Sequence, residues 1–466
     1  MSGLFSALST SSAALQVFSK ALGVSQENVA NSATAGYAAR RIRITDGSSG
    51  TVSSADRVSI TTASDGYSDA IVRHSSSGSG EADSQVQVLN SLNQLLDITG
   101  NTGVLAAFQG FSKAFSQLSV SPDDVTLRAN AINAGGQAAS AFQSLASSLD
   151  DQQRQVDGQI NQTVATVNSL AGQISNLNTG IRAGQQNDAN LRQALDDLSK
   201  LVDINVTSNS DGTVSVLAGG QVQLVGQDRS YPISALGASG TTSGGGLGQV
   251  TIQTTTGQTS PAFSGTLGGL LNIRNNVLPG ILGGNGQAGT LNSLAVVFGG
   301  RVNSILSAAQ TSSATGATLG SPLFSFDTVD PTNAARSFRS LNLTPAELGV
   351  ATVAGAVPGS ANGAALALSG LSTSSAPADQ VNGVSLETLF SQVASGIGQR
   401  QNTQSTSLQQ AKNQLAAAQT NRQDRIGVSL DQEAISVVAY QRAYQASAQI
   451  ISTLNQLTQD EINIIK

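Results

Sequence analysis

The residues of this chain that could do chemistry include one histidine, the adjacent aspartates at 150–151 and 196–197, a glycine run, three clustered arginines and the tyrosines at 440 and 444. His74 lies in IVRHSSSGSG and is the only histidine. With no cysteine present, nothing completes a conventional general-base or metal site around it, and the Ser/Gly setting reads as a solvated loop. Asp150-Asp151 and Asp196-Asp197 have the residue types of acid/base pairs. Adjacent residues on a helix point apart, however, so both pairs read as solvated helix surface. GGGLG at 244–248 lacks the Lys-Ser/Thr of a phosphate loop and reads as linker. No cofactor is expected.

Two clusters remain. In QENVANSATAGYAARRIRI at 26–44, Arg40, Arg41 and Arg43 alternate with Ile42 and Ile44 in a short strand. They either charge an edge against unwanted pairing or meet an acidic neighbour. Tyr440 and Tyr444, flanked by Gln441 and Gln445, sit four residues apart on a helix. Such a pair suits packing, and equally a protein interface, where amphipathic rings of low side-chain entropy are favoured.

The elements that carry these residues are mostly helical. Charged residues make up only 11% of the 466, against roughly 25% in an ordinary soluble protein. Aromatics reach 4%, so the core is expected to be chiefly Ala, Val, Leu and Ile. A net charge of -6 argues against a nucleic-acid partner, which calls for a basic face. No apolar run reaches the eighteen or so residues of a membrane helix, and no secretory signal is legible at the start.

At the N-terminus Met1, Leu8, Leu15, Leu22 and Val29 recur every seven residues, with Leu4 and Phe18 between them and Ser11 and Ser25 as polar gaps. This predicts an amphipathic helix that needs a partner. The last forty residues repeat the spacing with Leu430, Val437, Tyr444, Ile451 and Ile465, with Tyr440 and Leu454 beside them. Ser429 with Gln432 resembles a capping box, and Gly427 suits the end of the preceding helix.

Between the ends, helical pattern with glycine breaks runs over 84–120, and SPDD at 121–124 reads as a helix start with Pro122 in the first turn. One pattern then persists from about 130 to 183, the length of a rod. After a short helix at 190–202, alternation and Asp211-Gly212 predict a β meander. Helix returns over 265–310, Pro-punctuated mixed structure fills 321–385, and a long polar helix covers Leu386 to about Arg425. The expected fold is an elongated α+β multidomain chain. Residues 1–35 with 428–466 would form a terminal coiled coil, 36–189 with 265–427 a long-helix domain with small β elements, and 190–264 a β-rich outer domain.

The segment LGVSQENVANSATAGY at 22–37 resembles the N-x-A-N-x-x-T-x-G-Y signature of bacterial flagellar axial proteins, the rod, hook and hook-associated families. GVSLDQEAISVVAYQRAYQASAQIIST resembles their closing helix. NDANLRQALDDLSKLVDINV, SGTLGGLLNIRNNVLPG and NGAALALSGL are similar to the family of hook-associated protein 1, the hook-filament junction protein. Ala35 stands where the pattern commonly has Pro, and Ala38 where it often has a hydroxyl residue.

The resemblance implies a non-enzymatic structural subunit without cofactors, exported through the flagellar type III apparatus and extracellular once past a cytoplasmic stage. It implies self-association into a ring-like layer between hook protein and the third hook-associated protein, and a cytoplasmic chaperone on the C-terminal helix. The expected interface residues are Leu4, Leu8, Leu15, Phe18, Leu22, Asn28, Asn31, Thr34, Gly36 and Tyr37. From the other end come Leu430, Val437, Tyr440, Gln441, Tyr444, Gln445, Ile451 and Leu454. Another axial component, or a secreted coiled-coil adhesin or effector, is the alternative reading.

Overall fold

A 58-residue helix, α4 (Val125–Arg182), forms the spine, about 85 Å long at ~1.5 Å per residue. The computed structural model describes residues 2–44, 58–96, 102–237, 248–255, 257, 259–260, 263–284, 287–312, 318–351 and 362–465. Met1 and residues 244–247 of the glycine run lie outside them.

In chain order, α1 (Ser2–Asn31) leads into a hairpin of β1 (Arg40–Ile44) and β2 (Val58–Thr62), paired antiparallel with Ile42 opposite Ile60. Then come α2 (Gly66–Leu95), α3 (Gly103–Val120), α4 and α5 (Asp188–Leu201). Two antiparallel three-stranded meanders follow. One is β3 (Ile204–Ser208), β4 (Val214–Ala218) and β5 (Val222–Val225); the other is β6 (Ile233–Leu236), β7 (Thr251–Thr254) and β8 (Thr259–Ser260). Next, α6 (Gly265–Asn272) passes through a wide π turn, Ile273–Val277, into α7 (Leu278–Leu282) and then α8 (Thr290–Ala308). The Pro-rich part holds α9 (Ala334–Ser337), α10 (Gly363–Ser369) and two small strand pairs. Two long helices, α11 (Leu386–Ile426) and α12 (Leu430–Ile465), close the chain.

The chain folds back on itself. The first helix packs along the last, α2 packs along α11, and α5 and α6 sit against α2 and α4. On the two seven-residue tracks of α4, Phe142, Leu149, Val156, Ile160, Val167 and Ile174 are buried, and Leu170, Leu177 and Ile181 are half-buried. The start of α4 differs from expectation. Asp124 is the N-cap, its carboxylate accepting from Thr126 and Leu127 N–H at 2.7 and 3.1 Å. Pro122 therefore lies in the turn before the helix, closed by the Asp124 N–H on the Ser121 carbonyl.

The Ser/Gly stretch around His74 is not a loop but the interior of α2. Propensity is overridden by packing: small side chains let neighbouring helices come close. A Cβ on Gly80 would lie 2.1 Å from the Lys200 carbonyl oxygen, and one on Gly269 of α6 would lie 2.5 Å from that of Glu81.

The core is chiefly Ala, Val, Leu and Ile, as expected, and most of its buried aromatics are gathered in one place. Phe108, Phe111 and Phe115 of α3 meet Phe142 of α4, Phe298 of α8, Phe324 and Phe338 in one cluster with ring centroids 4.5–6.3 Å apart. Edge and tilted contacts of this kind add to area burial.

Asparagines join strand to helix. A side-chain amide carries one acceptor and one donor group, like a peptide unit, so a helix can use it to pair with the backbone of an extended segment. Asn168 accepts from Ile233 N–H and donates to Ile233 C=O, both at 2.9 Å. Asn178 does the same with Val214 (3.0 and 2.8 Å), Asn275 with Val250 (2.8 Å each) and Asn303 with Phe324 (2.8 Å each). The β pieces are thereby clamped onto the helical spine without a continuous sheet.

Candidate assembly joint and interface

The signature residues converge where α1 ends and the chain enters the body. Asn28, 1% exposed, is a fifth asparagine clamp: its Oδ1 accepts from Arg40 N–H and its Nδ2 donates to Arg40 C=O, each at 2.9 Å. The same Oδ1 accepts from the Tyr37 hydroxyl at 2.9 Å, and Nδ2 also donates to Glu433 Oε1 of α12 at 2.8 Å. One amide thus ties α1, β1 and α12 together. Burial raises the Tyr37 phenol above its ordinary value, so the hydroxyl is the proton donor in this bond.

Asn31 and Thr34 shape the turn. Asn31 Nδ2 donates to the Glu27 carbonyl at 2.9 Å, and Thr34 N–H and hydroxyl reach Asn31 at 2.9 and 3.3 Å. Gly36 has φ +74°, and a Cβ there would lie 2.5 Å from the Ala189 carbonyl of α5, so both backbone and space require glycine. Its carbonyl accepts from Arg192 of α5 at 2.7 Å. Ala38 and Ala39 are buried, and Ala39 N–H donates to the last carbonyl of α11, Ile426, at 2.8 Å.

The arginine triplet divides. Arg40 pairs with Glu27 at 2.8 Å and with Gln186, whereas Arg41 and Arg43 share the opposite, exposed face and make no ion pair among the described residues. The adjacent aspartates also divide, which corrects the expectation of solvated surface. Asp150 is buried and paired with Arg336, and Asp196 pairs with Arg422 at 2.8 Å. Asp151 and Asp197 are the exposed members, held by Arg154 and by Gln193 (2.9 Å). His74 projects to solvent with its side chain 84% exposed, 3.7 Å from Asp203.

Along the paired terminal helices, Leu4, Leu8, Leu15, Phe18 and Leu22 are half-buried, as are Val437, Tyr440, Ile451 and Leu454. The other expected positions of α12 lie off this face: Leu430, Gln441, Tyr444 and Gln445 are exposed. At the start of α12, Ser429 accepts from Glu433 N–H at 3.0 Å. The side chain that ties this turn down is Glu433, not the expected Gln432. That partnership was missed because its signal is a contact 405 residues away in sequence.

Asn28→Ala is expected to strand both backbone groups of Arg40. The cost is about 1–3 kcal/mol, read as faster hydrogen exchange at the Arg40 amide while amides of α4 are unchanged. Unaltered exchange at Arg40 would show that Asn28 is not the tie.

The comparisons agree with this architecture. Residues 89–324 match the model "Flagellar hook-associated protein FlgK helical domain", and residues 425–464 match "Flagellar basal body rod FlgEFG protein C-terminal". Flagellar hook-associated protein 1 of Bacillus subtilis (strain 168) is 25% identical over 511 residues, covering 99% of each chain. The structure of the flagellar hook junction protein FlgK from Burkholderia pseudomallei shares the fold, with a TM-score of 0.62 and 15% identity over 77% of this chain and 100% of that one. With half its length matched by the helical-domain model and its last helix by the rod-protein model, the chain belongs to the FlgK family of flagellar hook-associated proteins.

Proposed function

We propose that the chain is a structural subunit of the bacterial flagellum that assembles at the hook-filament junction and connects hook to filament through its terminal helices. The observation that carries this is the unfinished surface of α12. Although one face is covered by α1, Ile435, Val438, Ile450 and Leu457 stand exposed with Leu430 and Tyr444, and Phe5 is exposed on α1. A paired helix that still presents a row of large apolar side chains calls for further helices, and copies of the same pair supply them. The family membership supports the organelle.

In this reading 1–35 with 428–466 form the tube domain, and 36–189 with 265–427 the long-helix domain. Residues 190–264, with the two meanders, form the outer domain. The subunit joins a ring-like layer, with hook protein on one side and the third hook-associated protein on the other. A cytoplasmic chaperone covers the apolar row of α12 before type III export to the cell exterior. No described helix is long and apolar enough to cross a membrane.

Expression in cells lacking their junction protein tests this. The chain should restore attached filaments, and a variant carrying Ile435→Glu and Val438→Glu should fold normally yet leave filaments shed into the medium. Restoration of hooks in hookless cells, with no effect on filament attachment, would instead assign it to hook or rod.

A further inference from the structure

The charges around the joint do not all find partners within one subunit. Over 27–43 and 422–433, Glu27 pairs with Arg40 at 2.8 Å, Arg422 with Asp196 at 2.8 Å and Arg425 with Asp65 at 3.2 Å, while Glu433 accepts from Asn28. That leaves Arg41 and Arg43 on β1, Asp424 in the last turn of α11 and Asp431 in the first turn of α12. All of these are exposed, and none makes an ion pair among the described residues.

Arg41 and Arg43 share one face of the hairpin because side chains alternate along a strand. Opposite them stand Thr61 and Ser59, whose hydroxyls bring no countercharge. The acids lie at the same level. Ala39, the residue before β1, donates its N–H at 2.8 Å to the carbonyl of Ile426, which stands between Asp424 and Asp431 in the chain. One level of the molecule thus carries an unmatched basic face and unmatched acids in equal number.

We propose that the Arg41 and Arg43 face of one copy meets Asp424 and Asp431 of the next, a contact that holds neighbouring joints together. The inference rests on the packing of terminal helices proposed above, which sets the joint of each copy beside that of its neighbour. Because the two patches are unlike, the contact is head-to-tail and repeats from copy to copy instead of closing a dimer. A second copy satisfies both patches at once, whereas an unrelated acidic partner would leave Asp424 and Asp431 unmatched. Exposed pairs of this kind set register and partner choice more than affinity.

Charge reversal in two halves tests the contact in cells lacking their junction protein. One variant carries Arg41→Glu and Arg43→Glu, the other Asp424→Arg and Asp431→Arg. Either alone places like charges across every contact and should lose attached filaments. Expressed together they restore opposite charges between alternating copies and should recover attachment. The chain has no cysteine, so a chain carrying Arg41→Cys with Asp424→Cys gives a second measurement. A short bismaleimide added to assembled flagella should link that chain into dimers and larger multimers, and should leave Arg41→Cys alone monomeric. If a reversed chain does not fold, the cross-link decides. A parent chain that attaches no filaments overturns the junction reading and this contact with it. With the parent active, the contact alone is overturned by a reversed variant that attaches filaments as the parent does, by a mixture of folded variants that recovers none, or by a cysteine pair that yields no multimer.

Discussion

Gly36→Val is expected to abolish filament attachment while leaving the body folded. The residue occupies the left-handed region at φ +74°, where a β-branched side chain is strained by on the order of 1–3 kcal/mol. The added Cβ would also sit 2.5 Å from the Ala189 carbonyl and 3.2 Å from Gln193 N, both backbone atoms of α5 that cannot rotate away. The loop must lift off α5, breaking the Arg192 bond to the Gly36 carbonyl and moving Tyr37 away from Asn28. The terminal pair then loses its set direction relative to the spine. Counts of attached filaments should fall sharply, with the urea midpoint of the body unchanged. Normal filaments would show that the joint tolerates reorientation.

Arg274→Met is expected to produce the largest loss of stability in the body. Arg274 is 0% exposed; its Nε lies 2.6 Å from Asp157 Oδ1 and its Nη1 donates to the Gly248 carbonyl at 3.1 Å. Asp157 is buried too, and its second oxygen accepts from Gln153 at 2.7 Å. Removing the arginine leaves a carboxylate in the core with a single neutral donor, a change that costs about 3–5 kcal/mol in comparable buried pairs. Pairing the substitution with Asp157→Leu removes the stranded charge and should recover most of the loss, since isosteric apolar replacement of buried pairs is often near neutral. Denaturant unfolding of the two single variants and the double variant gives the coupling directly. A double variant as unstable as Arg274→Met would mean that packing around the guanidinium, not its charge, is what matters there.

Two of the long helices, α4 and α12, were legible because their apolar positions repeat over many turns, and they, like the polar α11, are close to their expected bounds. The joint was half legible. Asn28, Asn31, Thr34, Gly36 and Tyr37 stand out as a signature, and Gly36 announces a positive φ. What each side chain holds was not legible, since the partners Glu433, Ala189 and Arg192 come from distant parts of the chain. The same limit explains Asp150 and Asp196. Their local sequence describes a solvated helix face, and only folding brings Arg336 and Arg422 onto them.

Other features ran against local rules. HSSSGSG has the composition of a loop, yet is helical within α2, where α5 and α6 approach so closely at Gly80 that a Cβ would not fit. The phenylalanines are too scattered in sequence, from 108 to 338, to announce one cluster. The seven-residue spacing on α12 marked Leu430 and Tyr444 as equivalent to Val437, but α1 covers only part of that helix and leaves them to solvent. Those exposed positions are the ones available to another subunit.

Gold-labelled chain added to isolated hooks and imaged by electron microscopy puts the junction assignment to its sharpest test. Label should gather as a single layer at the distal tip of each hook, and the Ile435→Glu, Val438→Glu variant should leave the tips bare. Label distributed along the hook or filament wall, or tips that bind the variant as well as the parent chain, would contradict it.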